Sequence, residues 1–298
     1  MSSFWSAWII IIILGSIIGC WWLLYSVRKS QTTDNETEET MGHSFDGIEE
    51  LDNPLPKWWF YMFVATILFG FAYLALYPGL GNFKGLLGWT QVNQWEKEVA
   101  KANEKYDPIF KAFAEKSVEE LSNDPKALKV GQRLFANNCS VCHGSTARGA
   151  IGFPNLTDDE WLYGGSPDQI KTTIMDGRMA SMPAKGLNPA MSKDDVTDLS
   201  NHLLSFSNRA EDKVSAERGA AMFQTACSAC HGADAKGNQA MGAPDLTNNA
   251  WLYGGTPSMI KQTIEFGRAG VMPSHRDLLG EEKVHVLAAY IYSLSKGK

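Results

Sequence analysis

The C-terminal part of this chain is written twice. Cys139-Ser140-Val141-Cys142-His143 returns 88 residues later as Cys227-Ser228-Ala229-Cys230-His231. Pro154-x-Leu156-Thr157, Trp161-Leu162-Tyr163-Gly164-Gly165, Gly177-Arg178 and Met182-Pro183 return 90 residues later as Pro244-x-Leu246-Thr247, Trp251-Leu252-Tyr253-Gly254-Gly255, Gly267-Arg268 and Met272-Pro273. A two-residue length change therefore lies between each Cys-x-x-Cys-His and its Pro-x-Leu-Thr. Helical patterns precede the motifs (127–137 and 216–225) and follow the Met-Pro pairs (193–205 and 281–295). Helix, motif, loop with Met, helix describes one small unit used twice.

Cys-x-x-Cys-His is the attachment signature of c-type haem. Two thiols on one turn can bond the two vinyl groups, and the adjacent imidazole faces the iron. A zinc site would need more Cys or His at ligand spacing. A thioredoxin-like redox pair gives no reason for the second His. Cys139, Cys142, Cys227 and Cys230 are thus expected to carry two covalently bound haem c groups, with His143 and His231 as proximal ligands. Each unit has under 100 residues, small for a self-sufficient core, and a haem would complete it. Met182 and Met272 keep the repeat register and are the expected distal ligands. The other methionines, such as Met175, Met179, Met222, Met241 and Met259, read as gap fillers. The default pairing is within each unit, His143 with Met182 and His231 with Met272. A crossed pairing is compatible with the same spacing. His275 is a weaker alternative ligand. His202 and His285 read as core or surface residues. Arg178 and Arg268 could neutralise haem propionates or simply be solvated. Trp161, Tyr163, Trp251 and Tyr253 could donate to propionates or wall the pocket. With two strong ligands per iron, neither iron keeps an open position. That favours electron transfer over substrate activation and disfavours a peroxidase.

Upstream, Phe4 to Val27 is a run of 24 residues without a charge, and Trp58 to Tyr77 a second of 20, ended by Pro78. Each is long enough to cross a bilayer as a helix. Trp5, Trp8, Trp21, Trp22, Tyr25, Trp58, Trp59, Tyr61 and Tyr77 sit at the ends, as interfacial aromatics do. The first run lacks the basic start and small-residue cleavage site of a signal peptide. Small residues (Gly15, Ser16, Gly19; Ala65, Gly70, Ala72) leave either helix open to a partner helix or to lipid alone. Arg28, Lys29 and Lys57 flank the loop 28–57, and Met1 to Ser3 carries no charged side chain. The positive-inside rule then puts the loop in the cytoplasm and both termini outside. C-type haem is attached outside the bacterial inner membrane, as the motif's family implies, so both arguments agree.

The expected order is a membrane anchor (1–80, spans about 4–27 and 58–77), a linker or stalk (81–121), one haem domain (122–208) and a second (209–298). The fold class is all-α, two N-terminal membrane helices and two tandem cytochrome c domains. Net charge is −6, and the loop 28–57 holds eight acids against three bases. No basic surface suggests a nucleic-acid partner. Cys20, the fifth cysteine, lies in the first apolar run and reads as a small buried hydrophobe.

The segment Phe45-Asp46-Gly47-Ile48-Glu49-Glu50-Leu51-Asp52-Asn53-Pro54-Leu55-Pro56-Lys57-Trp58-Trp59, with two spans and two Cys-x-x-Cys-His units, resembles the dihaem CcoP subunits of bacterial cbb3-type cytochrome c oxidase. The resemblance covers essentially the whole chain. It implies an inner-membrane subunit with periplasmic haem domains that takes electrons from a donor cytochrome c. They would pass to the mono-haem subunit and on to the catalytic haem–copper subunit. Oxygen reduction and proton pumping would belong to that complex, not to this chain. Some members of the family have a single span, and the second span here is a variation. A free-standing membrane-anchored dihaem shuttle is the alternative.

Overall fold

The computed structural model describes residues 1–31, 40–51 and 56–296, and no side chains in 27–31. The Arg28 and Lys29 side chains, on which the expected topology rests, and residues 52–55 of the loop motif lie outside the described residues. Contacts divide the chain into two compact units, Met1–Glu104 and Lys105–Lys298.

In the first unit, α1 (Ser3–Gln31) and α2 (Lys57–Leu76) are the two apolar helices. Both are long and apolar enough to cross a membrane. Among the described residues only Ser6, Leu24 and Ile67 of these helices are buried. Such helices, apolar all round and exposed, suit lipid as solvent. A β-carbon on Gly15, Gly19 or Gly70 would meet nothing within 4 Å. No close helix approach is built on these three glycines. The loop between the helices holds a hairpin, β1 (Thr40–Phe45) and β2 (Ile48–Leu51), with Phe45 paired to Ile48. Asp46 and Gly47 turn it with φ of 53° and 85°. Two successive positive-φ residues match the strand twist of a tight hairpin. After α2, Pro78 cannot continue the helix, and a turn-rich stretch leads to α3 (Gln91–Ala114). Pro108 lies inside this helix. Thr90 and Asn93 start α3 by exchanging side-chain bonds to each other's backbone N–H, 2.9 and 3.0 Å.

The second unit is mostly helical. It runs α4 (Val118–Leu121), α5 (Pro125–Asn138), α6 (Ser140–His143), α7 (Pro167–Asp176), β3 (Arg178–Met182) and α8 (Lys193–Ser205). The second copy follows as α9 (Lys213–Ala226), α10 (Ser228–His231), α11 (Pro257–Phe266), β4 (Arg268–Met272), α12 (Arg276–Leu279) and α13 (Glu281–Lys296). Helix starts are written locally. Ser117, Ser166 and Ser192 form reciprocal capping boxes with Glu120, Gln169 and Asp195. Asp124 and Asp212 cap α5 and α9. Each such cap is worth about 1 kcal/mol.

The copies do not pack as the contiguous segments 122–208 and 209–298. The last helix, α13, packs on α5, α7 and α4, while α8 packs on α9 and α11. One core joins Phe135, Ala147, Ile170 and Ile174 to Val284, Leu287, Ala288 and Ile291. The other joins Met191, Val196, Leu199, Leu203 and Leu204 to Phe223, Ala226, Ala235, Ile260 and Ile264. The C-terminal half of each copy has been exchanged. Two glycines show how close the crossings are. A β-carbon on Gly131 would lie 2.5 Å from Cβ of Tyr290 and 3.1 Å from the Val286 carbonyl. At Gly219, the matching position, it would lie 2.5 Å from the Asp198 carbonyl carbon. A helix-interior glycine costs about 1 kcal/mol; here it lets two helix backbones touch.

β3 and β4 pair antiparallel where the exchanged halves cross. Arg178 lies opposite Met272 and Met182 opposite Arg268. These ribbons, like β1–β2, are the parts of a mostly helical chain that helical periodicity does not announce.

The α8–α9 crossing is also tied by buried polar groups. Asp198 accepts two bonds from Arg218, 2.7 and 2.8 Å, and one from the Ser215 hydroxyl. Asn201 donates to Ser215 at 3.1 Å and accepts from the Glu211 N–H at 3.0 Å. Arg218, then Ser215, holds the Asp198 carboxyl below its ordinary value despite its burial. The stabilisation is therefore complete above the unfolded value of 3.8 and fades as pH falls below it. Asp198→Ala should cost about 2–3 kcal/mol at neutral pH. It should also remove part of the acid sensitivity. Urea unfolding at neutral and at acid pH measures both.

Candidate haem sites

Each site begins where a helix ends. The Cys139 N–H bonds the Phe135 carbonyl at 2.8 Å and closes α5; the chain then makes one more turn, α6. Cys227 does the same after α9, bonding Phe223 at 2.9 Å. That single turn carries both cysteines and the histidine of each motif. The copies agree closely. His143 Nδ1 donates to the Pro154 carbonyl at 3.1 Å, and His231 Nδ1 to the Pro244 carbonyl at 3.2 Å. With Nδ1 holding the proton, Nε2 keeps a lone pair for a metal. Both rings are buried, and burial lowers both imidazole pKa values, so the neutral ligand form is favoured. Burial pushes the Cys139 and Cys227 thiols up to about 11. Such thiols are poor thiolates at neutral pH.

The Pro-x-Leu-Thr loop closes over each motif. Gly149 N–H bonds the His143 carbonyl at 2.9 Å and Leu156 N–H the Ala147 carbonyl at 2.8 Å. Gly237 with His231, and Leu246 with Ala235, repeat both bonds at 2.8 Å. The two-residue length change falls at the loop tip. One tip is closed by an Ala150–Phe153 bridge, the other by Asn238–Ala243. Each tip meets the other copy. Gly152 N–H bonds the Leu252 carbonyl at 2.8 Å, and Gln239 reaches the Trp161 carbonyl at 3.3 Å.

The methionines belong to the exchanged halves. Met272 packs against the same core as Cys139 and Trp161. The turn behind it is held by His275 N–H on the Ile174 carbonyl, 3.0 Å, and by Ser274 on the Met175 carbonyl. Beyond Met182, Lys185 N–H bonds the Ile264 carbonyl at 2.6 Å and Leu187 N–H the Ala226 carbonyl at 3.0 Å. A β-carbon on Gly186 would lie 3.7 Å from the Cys227 sulfur. The packing thus associates Met272 with the His143 core, and the turn after Met182 with the Cys227–His231 turn. These are the neighbours of the crossed pairing, the second of the two that the spacing allows.

Trp161 and Trp251 stay with their own copies' cores. Trp251 Nε1 is buried with no acceptor among the described residues. A buried donor without a partner costs roughly 1–3 kcal/mol, and a haem propionate is the kind of acceptor that would relieve it. Two thiols, a neutral imidazole, a thioether and this donor fit a haem c. Arg178 stacks on Tyr163, 4.7 Å to the ring centre, and bonds Thr173 at 2.9 Å. Arg268 does so with Tyr253, 4.6 Å, and Thr263, 3.0 Å. Other histidines have local roles. His202 packs on Phe206 and Phe223. His285 bonds the Lys116 carbonyl at 2.8 Å, and His275 Nδ1 donates to the Pro273 carbonyl at 2.9 Å. Two ion pairs pass unnoticed in the sequence, Lys171–Glu281 at 2.9 Å and Arg276–Asp176. Both clamp the exchanged α12–α13 segment to α7.

Fold and sites together define a membrane-anchored tandem c-type cytochrome. The family described as cytochrome c oxidase, cbb3-type, subunit III matches residues 126–203 and again 214–291. The N-terminal domain of cytochrome oxidase-cbb3, FixP, matches residues 37–84. A CcoP subunit from Rubrivivax gelatinosus is 43% identical over 298 residues, covering 99% of this chain and 96% of that protein. CcoP from Azospirillum brasilense is 39% identical, covering 87% and 96%. FixP from Azorhizobium caulinodans is 37% identical, covering 87% and 94%. The chain belongs to the CcoP/FixP family of cbb3-type cytochrome c oxidase subunits. It is a membrane-associated haem c protein whose partners are other subunits of that oxidase.

Proposed function

We propose that this subunit carries two haem c groups and relays electrons from a donor cytochrome c, through the mono-haem subunit, to the catalytic haem–copper subunit. Cys139 and Cys142 hold the first haem and Cys227 and Cys230 the second. Haem iron supplies a one-electron couple. His143 and Met272 are the ligands proposed at the first site, and His231 and Met182 at the second. The observation that carries this crossed reading is the packing of Met272 against the core of Cys139. Thioether ligation favours the reduced iron and raises its potential, as a relay toward oxygen requires. With an imidazole and a thioether both held for each haem, these residues would favour electron transfer over peroxide chemistry. Buried imidazoles with committed Nδ1 atoms keep the sites stiff and limit reorganisation on electron transfer. Arg178 and Arg268, each fixed by a tyrosine and a threonine, offer positive charge for propionates. Trp251 Nε1 offers a donor.

The loop 28–57 is proposed to be cytoplasmic and both termini periplasmic, from Arg28, Lys29 and Lys57. The purified oxidase should yield two covalent haems on this chain by haem stain and pyridine haemochrome. Cys227→Ser with Cys230→Ser should leave one haem and abolish steady-state oxygen consumption driven by donor cytochrome c. Full activity with one haem would remove the relay reading. A reporter active only in the periplasm should work after Lys298 and be silent near Glu38.

A further inference from the structure

We propose that the β1–β2 hairpin is a docking tongue for a surface on another oxidase subunit that is apolar at its centre and basic at its rim. The proposal rests on membership of the oxidase and is independent of haem ligation. Every residue of both strands is exposed. Among them are Met41, Leu51, Phe45 at 67% and Ile48 at 72% exposure. Phe45 and Ile48 face each other beside the turn and make an apolar tip. His43 lies edge-on against Phe45, ring centres 5.0 Å apart, and 4.0 Å from Glu50. That orders the tip without covering it. A lone two-stranded hairpin is at best marginal in water, and among the described residues no further strand pairs with either edge of this one. The feature makes physical sense only when another surface completes it.

Charge selects the occupant. Residues 34–52 hold eight carboxylates and no Lys or Arg. Anionic lipid headgroups attract basic segments and repel acidic ones, so the membrane surface is the wrong partner. An apolar centre with a basic rim is the complement of this tongue. Reach narrows it further. Leu51 lies six residues before Lys57, the start of α2, so the tongue stays within about 20 Å of that helix end. It meets only a neighbour that also emerges from the membrane there. The FixP-type match, 37–84, takes in hairpin and α2 together and stops before the haem copies.

The test uses the full chain assembled in the oxidase. Benzoylphenylalanine replaces Phe45, which keeps the tip aromatic, and membranes are irradiated. The expected product is an adduct with another oxidase subunit, mapped to a segment containing Lys or Arg. Glu49→Lys with Glu50→Lys should lower its yield about tenfold while both haem stains persist. High salt should lower the yield in the unsubstituted hairpin. Adducts with lipid alone overturn the proposal in favour of a membrane-surface role. A yield no greater than from the same probe at exposed Glu217 overturns it in favour of a solvated loop. A yield indifferent to both charge reversal and salt overturns the basic rim.

Discussion

Met272→Leu is expected to remove the sulfur ligand from the iron held by His143 and to leave the iron held by His231 intact. The decisive form places the substitution in a chain with Cys139→Ser and Cys142→Ser, which carries only the second haem. There Met272→Leu should leave the weak red absorption band of the oxidised iron–sulfur bond unchanged, and Met182→Leu should abolish it. In the chain with Cys227→Ser and Cys230→Ser the two outcomes should change places. In the unsubstituted chain, either variant should remove about half of that band and lower one potential, since a thioether raises the potential relative to the ligands that replace it. The opposite pattern would return the ligands to their own copies and reduce the exchange to a packing feature.

Leu287→Ala should damage the first site from the far end of the sequence. Leu287 is fully buried in the core that includes Phe135 and Ala147. Truncating such a leucine costs about 2–5 kcal/mol. Because α13 packs on α5, α7 and α4, the loss should appear as earlier thermal release of the Met272 sulfur from the first iron. The second site, built on α8, α9 and α11, should melt near its original temperature. Absorbance of the iron–sulfur band, followed on heating in each single-haem background, separates the two. An effect confined to the second haem would mean that α13 supports the copy it belongs to in sequence.

Much of this was legible from residue types and spacing. Cys139, Cys142 and His143 with their repeats, the Met-Pro pairs, and two charge-free runs identify haem attachment, distal candidates and spans. The chemistry of those groups is local and demands fixed spacing. The partnership of the halves was not legible, because duplication itself hides it. Two copies with the same motifs in the same register offer the same order of helices to either partner. What separates them lies in individual facing pairs. Asp198–Arg218 ties α8 to α9, and Lys171–Glu281 ties α7 to α13. Neither pair has a counterpart at the matching positions that periodicity would expose. Gly131 and Gly219 were a readable signal of close helix crossing, but not of which helix crosses. The ribbons carry little signal because strands of four to six residues have too few alternations to register.

The exchange has a consequence for the order in which the protein can be made. A chain emerges from synthesis N-terminus first. Met182 precedes His231, so the second core has all its helices once α11 has been made. The first core waits for α13, the last helix described. Until then the Cys139–His143 turn stands open, with its thiols accessible to whatever attaches haem. The earliest motif to arrive is the last to be sealed, and the final helix acts as its latch.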